Sequence, residues 1–149
     1  MEIAILGLGC FWGPEKKFNK LDGVVKTEVG YCGGNSENTN YNQVCTGKTN
    51  HAEVVKIEFD NSKLSYEDIL NYFFEIHNPT TLNQQGPDIG TQYRSEVFYL
   101  NENQKETAKK ILAKYNEKYN GKIVTKVSEI KNYCKAEEYH QKYFQKRNL

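Results

Sequence analysis

The sequence predicts an α/β (α+β) two-layer sandwich with a ferredoxin-like βαββαβ core, long loops and extra C-terminal elements. Three observations predict this fold. Apolar segments of strand length alternate with amphipathic helical segments, the pattern of helices packed on a sheet. The first six elements follow the order β-α-β-β-α-β of the split βαβ arrangement. The 149 residues contain no internal repeat and no linker, so residues 1–149 are predicted to form a single domain.

The first half of the chain supplies four elements of this core. Residues 2–6 are apolar on both faces, as in a central strand, and residues 11–21 read as a helix with proline tolerated in its first turn. Residues 24–31 form a second strand, and the polar residues 35–50 a loop. Residues 51–59 form a third strand in which alternate side chains share one face, namely His51, Glu53, Val55, Ile57 and Phe59.

The second half begins with a helix capped by Ser65, with Asp68 as its capping-box partner. Residues 78–94 show little periodicity, and a loop of this length inside a compact domain is usually functional. A fourth strand follows at residues 95–100, and a helix at residues 102–119 ends before Gly121. Residues 123–130 are predicted to be a last strand and residues 136–146 a final helix.

Charge and hydropathy exclude several classes of protein. Twenty Lys and Arg against nineteen Asp and Glu leave a formal charge of +1, which is not the basic excess of a nucleic-acid-binding protein. The longest apolar run, Ile3 to Leu8, is far shorter than the roughly 18 residues of a membrane span. The N-terminus also lacks the basic and apolar regions of a secretory signal, so we expect a cytoplasmic protein.

The four cysteines are Cys10, Cys32, Cys45 and Cys134, and none of them forms a CxxC pair. A zinc ribbon is therefore not expected, and we predict no metal. A disulfide framework is equally unexpected in a reducing compartment. Three roles remain open for the four thiols: they are buried packing residues, a nucleophile, or redox partners.

Cys10 is the strongest candidate for a nucleophile, because it lies between a predicted strand and a predicted helix. The N–H groups and partial positive charge at a helix N-terminus lower the pKa of a thiol. The glycines at positions 9 and 13 permit a tight turn and the close approach of a ligand. The alternative is a buried cysteine packed beside Phe11 and Trp12.

Glu53 is the second unusual residue, since it shares a strand face with apolar side chains. Burial would raise the pKa of its carboxyl group and make it a proton donor near neutral pH. The alternative is that Glu53 lies at the fraying end of the strand and meets solvent or His51. His51 itself could serve as a base for Cys10, although a single histidine near a strand start is more often structural.

The polar loops contain further candidates, each of which is by itself more typical of a loop hydrogen bond than of catalysis. Asp88, Tyr93 and Arg94 lie in the long loop, and Tyr41 lies in the other. Arg94 is one of only two arginines and is interpreted as an ion-pairing scaffold residue rather than a ligand clamp. His140 has no second metal ligand four residues away.

A rival interpretation is a dinucleotide-binding module. The turn Gly7-Leu8-Gly9 follows a strand and opens a helix, as in the glycine fingerprint of such modules. Bulky residues occupy the positions where a pyrophosphate would approach, and the chain lacks repeated parallel βαβ units. Both observations argue against this interpretation.

Taken together, these segments resemble the methionine sulfoxide reductase A family over nearly the whole chain. Five blocks match in order: GCFWG at residues 9–13, GYCGG at residues 30–34, YNQVCTGKTNHAEVV at residues 41–55, a block from Phe73 to Ser95 that includes HNPTTLNQQGPDIGTQYRS, and AEEYHQKY at residues 136–143. Five ordered blocks are far more specific than any single motif.

The resemblance implies a role for each matching residue. Cys10 would attack the sulfoxide sulfur, and Glu53 would protonate the oxygen. Three residues would hold that oxygen and a water, namely Tyr41, Tyr93 and Asp88. The pocket for the S-methyl group would be formed by Phe11 and Trp12.

The implied activity is the thiol-dependent reduction of methionine S-sulfoxide, free or in oxidised proteins, which repairs oxidative damage without a metal or organic cofactor. Cys10 would end as a sulfenic acid. The electrons would come from thioredoxin, glutaredoxin or a small thiol, and the protein is expected to be a monomer. A catalytically dead relative that only binds sulfoxide peptides is a further alternative.

The chain departs from the family in its recycling step. Many members carry resolving cysteines in a C-terminal tail beyond the AE-YHQ block, and residues 141–149 contain none. Cys134 lies just ahead of the block and is either the resolving cysteine or a packing residue. Cys32 and Cys45 are also open to this role.

Overall fold

The computed structural model describes residues 1–148; Leu149, the last residue of the predicted domain, lies outside the described residues. The helices and strands, in chain order, are β1 (Glu2–Leu8), α1 (Trp12–Asn19), β2 (Val24–Cys32), α2 (Tyr41–Cys45), β3 (Ala52–Phe59), α3 (Tyr66–Ile76), β4 (Gln84–Gln85), β5 (Asp88–Ile89), β6 (Ser95–Tyr99), α4 (Glu102–Lys118), β7 (Lys126–Glu129), β8 (Cys134–Lys135) and α5 (Tyr143–Lys146). Two 3-10 turns span Thr91–Tyr93 and Glu138–His140.

The central sheet has six strands in the order β7-β6-β1-β3-β2-β8. Its inner strands β6-β1-β3-β2 are all antiparallel neighbours. Counted along the βαββαβ unit, this order is fourth, first, third, second, as a ferredoxin-like core requires. The predicted fold class is confirmed. At one edge β7 pairs with β6 in parallel, and at the other β8 pairs with β2.

The helices α1, α3 and α4 cover one face of the sheet and form the main core with it. Alternate strand residues point into this core, and they include Leu6, Val29, Tyr31, Val55, Ile57 and Val97. Their fully buried partners on the helices include Phe18, Ile69, Phe73 and Ile111. The alternation predicted for β3 is therefore confirmed: its face with Val55 and Ile57 is the face that contacts the helices.

The opposite face of the sheet carries a smaller apolar cluster. It comprises Ile5, Cys32, Ala52, Val54 and Phe98, with Ile3, Ile130 and Tyr133 packed against it. The segment around residues 130–133 therefore covers part of this second face. Within residues 1–148, no helix is both long and apolar enough to cross a bilayer.

The helix predicted at residues 136–146 is wrong. The segment instead forms the second 3-10 turn, an extended residue and the short helix α5. The Gln141 side chain accepts a hydrogen bond from the N–H of Val29 and donates one to its C=O. Lys142 adopts a left-handed backbone conformation with φ 49°. Its N–H donates to Glu15 Oε1 at 2.6 Å. Because these bonds to other elements replace helical ones, apolar periodicity alone could not predict the break.

The two segments predicted as loops contain short elements. Helix α2 lies within residues 35–50 and begins where the Asn40 side chain accepts a hydrogen bond from the N–H of Gln43 at 2.9 Å. The long segment at residues 78–94 contains the hairpin β4–β5 and the first 3-10 turn. Both segments reach the end of the sheet where β1 leads into α1.

Candidate active site

Cys10 lies in the turn between β1 and α1 and is half-buried. Gly9 precedes it with φ +96°, and a Cβ there would lie 2.8 Å from the side chain of Gln85, so the turn requires glycine. Helix α1 begins without a capping side chain. The N–H of Trp12, in its first turn, hydrogen-bonds to the Cys10 sulfur.

The pKa of the Cys10 thiol is raised to about 11, which contradicts the expectation of a lowered value. Burial is the largest cause, and the Glu53 and Asp88 carboxylates add to it. The Trp12 N–H does lower the pKa, as a helix N-terminus should, but it does not compensate for the desolvation. Cys10 therefore rests as a thiol in the unliganded protein.

Glu53 is 1% exposed, so the alternative that it meets solvent at a fraying strand end is wrong. Its Oε1 accepts the N–H of Phe11 at 3.3 Å, next to Cys10, and its Oε2 accepts the amide of Gln92 at 3.3 Å. Burial raises the pKa of the carboxyl group to about 7, while these two donors partly oppose the shift. Glu53 is thus a carboxylic acid that holds its proton near neutral pH.

The long segment brings three polar side chains to the same place. Asp88 lies in the β4–β5 hairpin, close enough for its charge to raise the pKa of both Cys10 and Glu53. Tyr93 lies in the following 3-10 turn, and burial raises the pKa of its hydroxyl to about 12. Gln92, from the same turn, is 5% exposed and bonds directly to Glu53.

Helix α2 supplies Tyr41, the remaining predicted tyrosine. Its hydroxyl bonds to Cys45 and to Tyr93, and the pKa of Tyr41 is raised, chiefly by the bond to Cys45 and by burial. Its N–H donates to Glu137 Oε2 at 3.0 Å. The structure therefore brings together all five residues predicted to act on the sulfoxide oxygen and sulfur.

Phe11 and Trp12 belong to an aromatic cluster with the C-terminal segment. Phe11 is 1% exposed and packs on Tyr31, at 5.7 Å between ring centroids. Trp12 is half-buried and stacks on Tyr143 at 3.6 Å. Its Nε1–H donates to His140 Nδ1 at 3.1 Å, which places the histidine proton on Nε2. His140 is thus a structural partner of Trp12.

Other candidates lie apart from this cluster. His51 is buried and bonds to the Ser36 carbonyl at 3.0 Å through Nε2. Arg94 forms a buried ion pair with Glu96 at 2.6 Å, so its interpretation as a scaffold residue is confirmed. The Cys134 sulfur lies against the carbonyls of Thr39 and Lys135.

The geometry does not favour a dinucleotide-binding module. Gly7 lies within β1, whose two neighbours are antiparallel, so no parallel βαβ unit surrounds the turn. The side chain of Gln85 packs where a pyrophosphate would have to approach Gly9.

Comparison with known proteins agrees with this geometry. The family model described as "Peptide methionine sulfoxide reductase" matches residues 2–149. The chain belongs to this family. A relative from Pelagibacter ubique, named a peptide methionine sulfoxide reductase, is 67% identical over 147 residues that cover 99% of this chain and all of the relative.

Solved structures extend the likeness to the fold. The reduced form of Mxr1 from Saccharomyces cerevisiae is 37% identical with a TM-score of 0.94, covering 99% of this chain and 86% of that one. The same yeast protein in complex with Trx2 is 26% identical with a TM-score of 0.69, covering 95% and 84% of the two chains. This peptide methionine sulfoxide reductase family member is an oxidoreductase that reduces methionine sulfoxide with thiols.

Sequence reasoning missed Gln92 and underrated Cys45. The amide of Gln92 donates to Cys45 Sγ at 3.4 Å as well as to Glu53. Both residues lie in segments whose short helical turns were predicted as loops, and no pattern in the sequence indicates this contact. Among the described residues, no three His, Cys, Asp or Glu side chains are grouped as a metal site requires, and the absence of a metal stays a prediction.

Proposed function

We propose that this chain reduces the S epimer of methionine sulfoxide, free or in proteins, with Cys10 as nucleophile and Glu53 as general acid. One observation carries the proposal: a thiol and a buried carboxylic acid with pKa about 7 lie side by side at the β1–α1 turn. The sulfoxide sulfur becomes electrophilic when its oxygen receives a proton, and Glu53, with its pKa of about 7, can supply one near neutral pH.

The protons and electrons balance within this pair. The Glu53 carboxyl protonates the sulfoxide oxygen, and the Cys10 thiol proton returns to Glu53. The Cys10 sulfur attacks and bonds to the sulfoxide sulfur. The protonated oxygen then passes to the Cys10 sulfur, and both the bond between the two sulfur atoms and the S–O bond of the substrate break. The products are methionine and the Cys10 sulfenic acid, so the thiol is oxidised as the sulfoxide is reduced.

The remaining residues of the site orient the substrate. The hydroxyls of Tyr41 and Tyr93 are neutral donors because both pKa values are raised, which suits them to hold the sulfoxide oxygen. Asp88 would bind a water beside them. Phe11 and Trp12 would form the apolar wall for the S-methyl group, so that methyl and oxygen together select one epimer at sulfur.

The reductant, the compartment and the oligomeric state also belong to the proposal. Mxr1 has been crystallised with Trx2, and we propose a thioredoxin as reductant here, with glutaredoxin or a small thiol as alternatives. The free thiols, one of them exposed, favour a reducing compartment such as the cytoplasm. Residues 1–149 would act as one domain and as a monomer.

The test is methionine formation from each sulfoxide epimer with dithiothreitol as reductant. We expect wild type to consume only the S epimer and Cys10→Ser to form no methionine. Cys32→Ser, a buried position on the far face of the sheet, is the matched control and should retain turnover. Turnover by Cys10→Ser would overturn the proposal, and binding without turnover by wild type would favour the sulfoxide-peptide binder.

A further inference from the structure

The four thiols differ sharply in their access to Cys10. Cys32 is fully buried in the cluster on the far face, where its Sγ donates to the Lys131 carbonyl at 3.3 Å. The Cys134 Sγ, on an edge strand, lies 3.6 Å from the Thr39 carbonyl and 3.7 Å from that of Lys135. Neither sulfur bonds to a side chain of the active site within the described residues.

Cys45 is different, because its sulfur lies at the rim of the active site. Gln92 Nε2 donates both to Cys45 Sγ at 3.4 Å and to Glu53 Oε2 at 3.3 Å. The other oxygen of Glu53 accepts the N–H of Phe11, the residue after Cys10. The Tyr41 hydroxyl also bonds to Cys45. The Cys45 thiol is therefore joined through the Gln92 amide to the carboxyl group that lies beside Cys10.

We propose that Cys45 is the resolving cysteine, in the role that the sequence analysis left open between it, Cys32 and Cys134. The inference rests on the proposed function, which supplies the Cys10 sulfenic acid. The Cys45 sulfur attacks the sulfur of Cys10, the S–O bond of the sulfenic acid breaks, and an S–S bond forms. The hydroxyl group leaves as water with a proton from Glu53, and the Cys45 thiol proton returns to Glu53.

The bridge requires the end of α2 to approach Cys10, since a disulfide holds two Cα atoms about 4.4–6.8 Å apart. This end of α2 is loosely packed, since Cys45 and the three residues after it are exposed. A Cβ at Gly47 would meet nothing within 4 Å. Val44 is buried and holds the helix on the core. The displacement breaks the bonds of Cys45 to Gln92 and Tyr41, and it loosens the turn bonds from the N–H of Thr46 and of Gly47 that end α2. Local opening of so short and exposed a turn costs little.

Exposure of Cys45 also suits the next step. A reductant must attack one sulfur of the bridge, and the more accessible sulfur is attacked first. Cys10 is half-buried, whereas Cys45 lies at the surface. The outside thiol therefore attacks Cys45 and releases Cys10 as the free thiol.

The experiment is a single turnover of the full chain. Fully reduced protein meets excess methionine S-sulfoxide without a reductant, and methionine, free thiols and intact mass are measured. We expect one methionine and two lost thiols per wild-type chain, a mass lower by two hydrogens, and a Cys10–Cys45 peptide in the digest. Cys45→Ser should still form one methionine but lose one thiol, gain one oxygen and react with a sulfenic-acid reagent at Cys10.

Cys134→Ser is the matched control, as the other cysteine at the same end of the sheet, and should behave like wild type. A Cys10–Cys134 peptide, or a stable sulfenic acid in wild type, would overturn the assignment of Cys45. Absence of methionine from wild type would instead overturn the proposed function, so the two failures are distinguishable. Because position 45 is exposed, the substitution should leave the fold intact.

Discussion

At the scale of single residues, the protonation of Glu53 contributes to that of Cys10, whose pKa is raised mainly by burial. An ionised Glu53 raises the pKa of the neighbouring thiol, so a neutral Glu53 makes the thiolate easier to form. The reaction needs a protonated acid and a thiolate together. One state of Glu53 meets both needs, because burial keeps its proton on at a pH where an exposed glutamate would be ionised.

Asp88 affects the pKa of both Glu53 and Cys10, and Asp88→Asn tests this electrostatic effect. Its negative charge raises the pKa of both Glu53 and Cys10, so its removal should lower both values. Since Glu53 must be protonated to act, first-turnover methionine formation should decline from a lower pH than in wild type. Alkylation of Cys10 by iodoacetamide should likewise begin at lower pH.

The measurement is rapid-quench methionine formation across pH, with alkylation followed by mass spectrometry in parallel. Asp22→Asn removes an exposed carboxylate and serves as the control. Unchanged pH profiles for both reactions would remove Asp88 from the electrostatics of the site.

At the scale of elements, two segments without long helices or strands position the active site. The 3-10 turn that carries Gln92 and Tyr93 is held by Arg94, whose guanidinium donates to the Thr91 carbonyl at 2.8 Å and to the Asn50 carbonyl at 3.0 Å. Two hydrogen bonds hold the C-terminal segment. The Gln141 side chain accepts from the N–H of Val29 on β2, and the N–H of Lys142 donates to Glu15 on α1. Buried polar side chains thus replace the backbone pairing that a regular element would supply.

Glu15→Ala tests the second of these attachments. Glu15 accepts from Thr27 Oγ1 at 2.9 Å and from the N–H of Lys142 at 2.6 Å. Each donor left unpaired in a buried site costs about 1–3 kcal/mol, so the free energy of unfolding should fall by that order. The C-terminal segment should also loosen and change the environment of Trp12, the only tryptophan of the chain.

Urea unfolding measures the stability, and amide exchange over residues 137–146 together with Trp12 fluorescence measures the loosening. Glu106→Ala, an exposed position on α4, is the control and should change none of these quantities. Loss of stability without faster exchange in this segment would show that Glu15 does not anchor it.

At the scale of the whole molecule, periodicity predicted what depends on local sequence. The core strands, the helix capped by Ser65 with Asp68, and the buried face of β3 that carries Glu53 all follow from pattern and capping chemistry. The contact of Gln92 with Cys45 and the break at Lys142 depend on partners distant in the chain. The raised pKa of Cys10 depends on how deeply the fold buries it, which no local pattern reports.

The pH dependence of stability follows from the burial of Glu53. Its pKa is about 7 in the folded protein against a reference value of 4.5, so folding favours the protonated form. The stability tied to that proton is complete below the reference value and is lost as the pH rises through about 7. Since one pKa unit corresponds to about 1.4 kcal/mol, the loss at alkaline pH is on the order of 3 kcal/mol.

Glu53→Gln removes this dependence, because the amide is neutral at every pH. The variant should match wild type in urea unfolding near pH ~4 and exceed it by up to about 3 kcal/mol near pH ~9, while turnover falls at least about 100-fold. Glu106→Gln, which changes an exposed carboxyl, is the control for general charge effects. An equal stability difference at both pH values would mean that Glu53 is not the buried acid whose ionisation weakens the fold. The stability that wild type forgoes at alkaline pH is the consequence of keeping a proton donor beside Cys10.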